Sequence, residues 1–103
     1  MIIRVLTATV QQDASGRLHD LMRRQLPILH SYDGLLYTKL ARRLDGNGEQ
    51  VILFEEWRDT ASLYAWAGPV LDRPRLLPGA EELIDHLVVT HYEALDIEEP
   101  APD

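Results

Sequence analysis

The feature that most constrains the fold is an N-terminal segment whose apolar side chains fall on both faces of a predicted strand. Residues 2–10 are largely apolar and β-branched, and alternation puts Ile3 and Val5 on one face and Leu6 and Ala8 on the other. This pattern predicts a first strand that is covered on both faces. At 103 residues the chain can build one core and no second one, so a single domain is expected.

Leucines at three- and four-residue spacing predict an amphipathic helix from Arg17 to about His30. Asp13 or Ser15 is its predicted cap, since either side chain can accept a hydrogen bond from a free backbone N–H of the first turn. Pro27 lacks a backbone donor and crowds the preceding turn, so a kink or an early end of the helix is expected there.

Two alternating segments, residues 35–44 and 49–57, are separated by an Asp-Gly-Asn-Gly turn that predicts a hairpin. A shorter helix capped by Asp59 or Thr60 follows, and residues 86–95 predict a last strand. The order strand, helix, strand, strand, helix, strand predicts a ferredoxin-like α+β fold. In this fold a four-stranded antiparallel sheet carries both helices on one face.

The expected domain spans residues 1–95, with residues 96–103 as an acidic C-terminal tail. Two helices can cover only one face of the sheet, whereas the first and third strands carry large apolar side chains on both faces. A bare apolar face of this size is unusual in a monomer. A second copy packed sheet to sheet about a two-fold axis is the simplest cover, so we expect a homodimeric α/β barrel.

The composition argues against several classes of partner. A net charge of -7, from 10 basic and 17 acidic residues, repels phosphate backbones and anionic lipids, so neither nucleic acid nor a membrane surface is expected. The chain contains no cysteine, which removes disulfides, thiolate metal sites and cysteine nucleophiles. No segment approaches the ~20 apolar residues of a membrane helix, and the N-terminal apolar run is too short for a signal peptide. A cytoplasmic location is therefore expected.

Two motifs resemble the antibiotic biosynthesis monooxygenase superfamily. One is the run of residues 54–59, Phe-Glu-Glu-Trp-Arg-Asp, with Trp66 nine positions after Trp57. The other is Asp-Gly-Leu at residues 33–35, after a first helix that contains proline. The resemblance covers about residues 1–95. It implies a dimeric α/β barrel, in a family that includes cofactor-free oxygenases of aromatic polyketides, quinol oxygenases and heme-degrading monooxygenases.

The resemblance also implies where site residues would lie. Trp66 matches a pocket tryptophan on the second helix. The polyketide oxygenases carry an asparagine four residues before it and a tyrosine six after it, where this chain has Ser62 and Asp72. The heme-degrading members carry an iron-binding histidine at the position of Leu76 and an asparagine near Thr7. Because the chain has neither, no cofactor is predicted from the resemblance.

Histidine and tyrosine supply the candidate acid–base groups. His86 and His91 lie five residues apart on one predicted strand, so they point to opposite faces and cannot bind one metal ion together. His91 can act as a base near neutral pH, or pack as a hydrogen-bonded histidine in the core or at the dimer interface. Tyr37 can donate a hydrogen bond from its phenol to a ligand, or it can pack half buried with its hydroxyl in water.

Glu55 and Glu56 alternate along a strand, so at least one carboxylate points into a covered layer. A buried carboxylate requires a partner or a raised pKa. Arg4 is the expected partner, reaching Glu55 or Glu56 across the dimer. An ion pair of structural importance is favoured over a catalytic carboxylate.

The leading functional hypothesis is a monooxygenase that uses neither metal nor flavin. Its substrate would be a planar phenol or quinol held between the sheet and the helices, with His91 or Tyr37 as the catalytic proton partner. The predicted pocket residues are Trp66, Thr7, Ser62, Asp72 and Leu76.

Two alternatives remain open from the sequence. One is a non-catalytic homodimer of the same fold that binds a small aromatic or apolar molecule, or another protein. The departures at Ser62, Asp72 and Leu76 favour it. The other is a heme-binding protein that uses His91 or His30.

Overall fold

The fold consists of a four-stranded antiparallel sheet and two α-helices. A computed structural model of the chain describes residues 1–46, 49–69 and 78–95. The elements are β1 (Ile2–Val10), α1 (Ser15–His30), β2 (Leu35–Arg42), β3 (Glu49–Trp57), α2 (Thr60–Ala67), a 3₁₀ turn (Glu81–Leu83) and β4 (Ile84–Glu93). The strand order β2-β3-β1-β4 places β1 and β3 at the centre, and the predicted ferredoxin-like α+β fold is confirmed.

The two faces of the sheet differ in their cover. One face packs against both helices in a single core, and we call it the helix-covered face. Its buried strand residues include Leu6, Ala8, Val51, Leu53 and Trp57. The opposite face, called the open face, carries Val5, Thr7, Ile52, Phe54, Tyr37, Val88 and Tyr92. Tyr37, Val88 and Tyr92 are each about half exposed on it, at 48%, 43% and 54%.

Helix α1 begins without the predicted cap. The cap position is Ala14, and no side chain there bonds the first turn. Asp13 adopts a positive φ of 62°, which turns the chain just before the helix. The backbone N–H of Ser15 instead donates to Glu49 Oε2 on β3, at 3.1 Å. The first turn of α1 is therefore fixed by a carboxylate from the sheet, which also suits the positive end of the helix dipole.

Of the two outcomes expected at Pro27, a kink or an early end, the early end is wrong, because the helix runs to His30, the limit predicted from the leucine spacing. Pro27 lies on the exposed side of the helix. Beyond it, the N–H of Ser31 donates to the Ile28 carbonyl at 3.1 Å and the N–H of Tyr32 donates to the Leu29 carbonyl at 3.2 Å, which closes the end of the helix. The helix tolerates one missing backbone donor in its last turn because its packing against the core stabilises it. Leu18, Met22 and Leu29 form the buried face of α1.

The remaining boundaries agree closely with the sequence. Helix α2 is capped by Asp59, whose side chain accepts from the N–H of Ser62 at 2.8 Å, as predicted. Strand β2 ends at Arg42 and β4 begins at Ile84, each a short shift from the predicted limits. The predicted acidic tail lies outside the described residues. Within the described part of the chain, no helix combines the length and the hydropathy required to cross a membrane.

Candidate functional site

Four polar side chains cross the helix-covered face in one line, and we call them the polar row. The pairing register sets Thr38 of β2 opposite Glu55 of β3, Glu55 opposite Arg4 of β1, and Arg4 opposite His91 of β4. Directly paired residues of antiparallel strands project from the same face of a sheet. The polar row therefore spans all four strands beneath the helices, next to an apolar row that contains Leu6 and Leu53.

Arg4 and Glu55 form a buried ion pair at the centre of this row. Their side chains are each 1% exposed, and Arg4 Nη1 lies 3.7 Å from Glu55 Oε1. The indole N–H of Trp57 donates to the same oxygen at 2.9 Å. The sequence predicted Arg4 as a mate across the dimer, which is incorrect: β1 and β3 are neighbours, so the pair forms within one chain.

Burial dominates the ionisation of the pair. Burial raises the pKa of Glu55 above its ordinary value, while the charge of Arg4 and the hydrogen bond from Trp57 oppose that rise. Burial likewise lowers the pKa of Arg4, and Glu55 opposes it. A charge pair of this kind is stable only while both partners are present, because either charge alone would be buried without compensation.

His91 lies beside the ion pair at the β4 end of the row. Its Nε2 atom is buried and has no hydrogen-bond partner among the described residues. Burial first, and the positive charge of Arg4 second, lower the pKa of His91 below its ordinary value. The imidazole is therefore neutral at pH 7, and a neutral imidazole nitrogen can accept a proton.

A histidine also stands at the other end of the polar row. His30, the last residue of α1, has its Nε2 2.7 Å from the hydroxyl of Thr38. Sequence analysis missed Thr38 as part of the site. The available signal was the strand parity of the hairpin, which puts Thr38 and Glu55 on one face once the pairing is known.

The described residues do not offer a metal site. No group of three or more histidine, cysteine, aspartate or glutamate side chains among them could hold a metal ion. His86 pairs with Thr9 on the open face and His91 with Arg4 on the helix-covered face, so the predicted separation of the two histidines is confirmed.

Trp66 shares the helix-covered layer with His91. It is 3% exposed, and its ring meets Tyr32 edge to face, with centroids 5.0 Å apart and planes at 76°. Trp57 lies in the same core and is fully buried. The packing of Trp66 explains why a bulky aromatic residue occurs on this short helix; its role as a wall for a ligand stays a prediction.

Ser62 lies where β2 and α2 begin. A β-carbon on Gly34 would collide with the Ser62 hydroxyl, and Arg58 Nη2 lies 3.5 Å from that oxygen. Arg58 also contacts Asp33 Oδ2 at 3.2 Å, and its backbone N–H donates to the Gly34 carbonyl at 2.7 Å. Ser62 thus tightens a junction between elements. The other two predicted pocket residues after it, Asp72 and Leu76, fall outside the described residues.

The structure does not bring all the predicted site residues together. Thr7 pairs with Ile52, and Tyr37 packs edge to face on Phe54 at 5.9 Å, so both lie on the open face. Tyr37 also borders a shallow hollow of about 390 Å³, which Lys39, Ala41, Ile52 and Phe54 complete. The alternation of the strands divides the predicted pocket: His91 and Trp66 are beneath the helices, and Thr7 and Tyr37 are on the far side of the sheet.

Comparison with known proteins agrees with this architecture. A candidate antibiotic biosynthesis monooxygenase from Deinococcus radiodurans superimposes with a TM-score of 0.76 at 18% identity, covering 99% of this chain and 100% of that one. The Rv0793 protein of Mycobacterium tuberculosis gives 0.72 at 20% identity, covering 95% and 98%. A conserved protein from Methanosarcina mazei Go1 gives 0.71 at 20% identity, covering 89% and 91%.

These identities are low, so the structural likeness shows the fold. No curated protein matches the chain significantly. The sequence profile of one family, antibiotic biosynthesis monooxygenase, matches residues 1–68, the stretch that contains the Arg4–Glu55 pair, Trp57 and Trp66. On that match, which covers well over half of the 103 residues, the chain belongs to the antibiotic biosynthesis monooxygenase family.

Proposed function

We propose that the protein is a cofactor-independent monooxygenase acting on a planar phenol, quinol or anthrone in the layer between the sheet and the helices. The observation that carries the proposal is His91, a neutral imidazole whose Nε2 is buried and has no hydrogen-bond partner among the described residues. The family membership and the Deinococcus radiodurans neighbour agree with an oxygenase.

The chemistry requires a base, an electrostatic partner and exclusion of water. His91 accepts the proton of the substrate, and the nearby charge of Arg4 stabilises the anion that forms. The electron-rich anion then donates to O2 directly. For an anthrone, the CH2 carbon becomes C=O: one oxygen atom enters the product, the other leaves as water, and the substrate supplies all four electrons.

Aromatic residues support a flat substrate. Trp66 and Tyr32 form an edge-to-face pair in the helix-covered layer, and Trp57 lies in the same core. Flat aromatic rings offer stacking and exclude water at little conformational cost. In this proposal Trp66 stacks on the bound ring, whereas Thr7 and Tyr37 lie on the open face, across the sheet from the substrate, and do not contact it.

Oxygen uptake tests the proposal. Purified protein is incubated with a panel of hydroquinones and anthrones in air, and O2 consumption and product are followed together. The His91→Gln variant is expected to lose about 10²–10⁴-fold in kcat/KM. His86→Gln is the matched control, because it changes a histidine of the same strand on the open face. Equal activity of His91→Gln and the parent protein would show that His91 is not the catalytic base. The absence of turnover with every substrate in the panel would contradict the oxygenase proposal.

The proposed assembly is a homodimer joined through the open face. The open face carries Ile52, Phe54, Val5 and the half-exposed Val88 and Tyr92 without a covering helix among the described residues. An apolar surface of this extent favours a partner, and a two-fold dimer is the most common solution.

A second candidate function is ligand binding without catalysis. It is supported by Trp66, which the core already encloses, and by Ser62, which Gly34 and Arg58 engage. Quenching of tryptophan fluorescence by a quinol, with no oxygen uptake, would favour this binding protein over the oxygenase.

A further inference from the structure

We infer that Glu55 is a positioning residue that acts on His91 through Arg4, so that the charge of Glu55 helps to set the protonation of His91. The link to catalysis rests on the proposed function, but the link among the three side chains does not. The inference starts from the polar row, where these residues are consecutive across β3, β1 and β4.

The geometry holds the Glu55 carboxylate in one place. The Trp57 indole donates to Oε1 at 2.9 Å, and Arg4 Nη1 approaches the same oxygen at 3.7 Å. Both side chains of the ion pair are 1% exposed, so neither can turn to solvent without leaving the core. Trp57 is itself fully buried, and it anchors the carboxylate from its own strand.

Arg4 faces His91 from the other side. The two residues are directly paired between β1 and β4, and no intervening strand separates them. Burial weakens screening by water, so charges in this layer act over longer distances than charges on a surface. Glu55 lies two strand spacings from His91, which is roughly 10 Å.

The other charged groups near His91 are few. Among the described residues, Arg4 is the charged group that bears on the pKa of His91. Glu93 follows on β4 itself with the same strand parity, and it is exposed. At the far end of the row, His30 is exposed and engages Thr38. The Arg4–Glu55 pair is therefore the electrostatic neighbour through which His91 can be tuned.

Titration of His91 by NMR tests the inference without any substrate. The His91 signal is assigned by its loss in His91→Gln. In Glu55→Gln the carboxylate charge is gone while an oxygen remains for Trp57, so the titration midpoint of His91 is expected to fall by roughly one pH unit. Glu56→Gln is the matched control: it removes the same charge one residue away, on the open face, and should leave the midpoint unchanged.

A second variant provides the test if Glu55→Gln does not fold. Arg4→Met combined with Glu55→Gln replaces the pair by neutral side chains of similar volume, which cores often tolerate. With the cation gone, the His91 midpoint should rise above that of the parent protein. A native-like spectrum with an unmoved His91 midpoint in either variant would overturn the inference.

The same data separate this inference from the proposed function. A shifted midpoint in a protein that turns over no quinol or anthrone would overturn the oxygenase and leave the coupling of Glu55 to His91 in place. Turnover of a quinol or anthrone with an unmoved His91 midpoint would support the oxygenase and overturn the coupling of Glu55 to His91.

Discussion

Gly34 and Ser62 are in such close contact that no β-carbon fits between them. Gly34 has a φ of 90°, and a β-carbon there would meet the side-chain oxygen and Cβ of Ser62. The contact joins the start of β2 to the first turn of α2. It also gives a physical reason for glycine at residue 34, because no other residue combines this φ with the absence of a side chain.

Gly34→Ala is therefore expected to destabilise the fold by about 2–4 kcal/mol, through backbone strain and overpacking together. Gly16→Ala is the matched control, because Gly16 lies in the first turn of α1 with open space around it. It should be neutral or stabilise by up to about 1 kcal/mol. Urea unfolding measures the stability of the two variants. An equal loss of unfolding free energy in both would contradict the close contact between Gly34 and Ser62.

Protonation of His91 should make stability depend on pH. Its pKa is lowered in the folded state, so the unfolded chain binds the proton more readily. The stability that His91 contributes is thus present above its ordinary value near 6.5, and it is lost as the pH falls through the folded pKa. Unfolding curves of the parent protein and His91→Gln, measured from pH 5 to pH 8, should converge toward acid. Parallel curves would show that His91 titrates normally.

The cap of α2 predicts a second contribution to stability that is lost in acid. Asp59 accepts a hydrogen bond from the N–H of Ser62. Hydrogen bonding from the Ser62 side chain first, and from this N–H second, lowers the pKa of Asp59. A lowered pKa means that the stabilisation is present above the ordinary carboxyl value of 3.8 and is lost as the pH falls through the folded pKa. Asp59→Ala should lower the thermal midpoint at pH 7 and have little effect at pH 2. Asp59→Asn keeps a capping oxygen, so its thermal midpoint at pH 7 should fall less than that of Asp59→Ala.

The open face should determine the oligomeric state. Phe54→Glu places a charge in the middle of the apolar surface and is expected to convert the proposed dimer to a monomer. Ile28→Glu changes an exposed apolar side chain on α1, away from the open face, and serves as the control. Sedimentation equilibrium should give twice the 11.8 kDa of one chain for the parent protein and for Ile28→Glu, and 11.8 kDa for Phe54→Glu. A parent protein that sediments at 11.8 kDa would exclude the dimer.

The fold was largely predictable because its signals are local. Alternation in residues 2–10 and 49–57 identified β1 and β3, and Asp59 marked the start of α2. The cap of α1 was not predictable in this way, because Glu49, which supplies it, lies 34 residues along the chain from Ser15.

The candidate site was predicted only in part. Strand parity separated His86 from His91 correctly, yet it was not applied to Thr7 and Tyr37, which belong to the opposite face. The Arg4–Glu55 pair depended on knowing that β1 lies between β3 and β4. Such cross-strand relationships follow from the pairing register, and a single sequence leaves that register open.

The polar row also has a consequence for how the chain finds its native pairing. A slip of β3 by one residue against β1 would send Glu55 to the open face and bring Glu56 beneath the helices, without Trp57 to donate to it. Arg4 would then face a carboxylate that no indole N–H holds in place, while Trp57 would leave the core together with Glu55. The misaligned strand pair would lose this buried hydrogen bond and a large aromatic side chain from the core, so the side chains around Arg4 help to select the native alignment of β3 against β1.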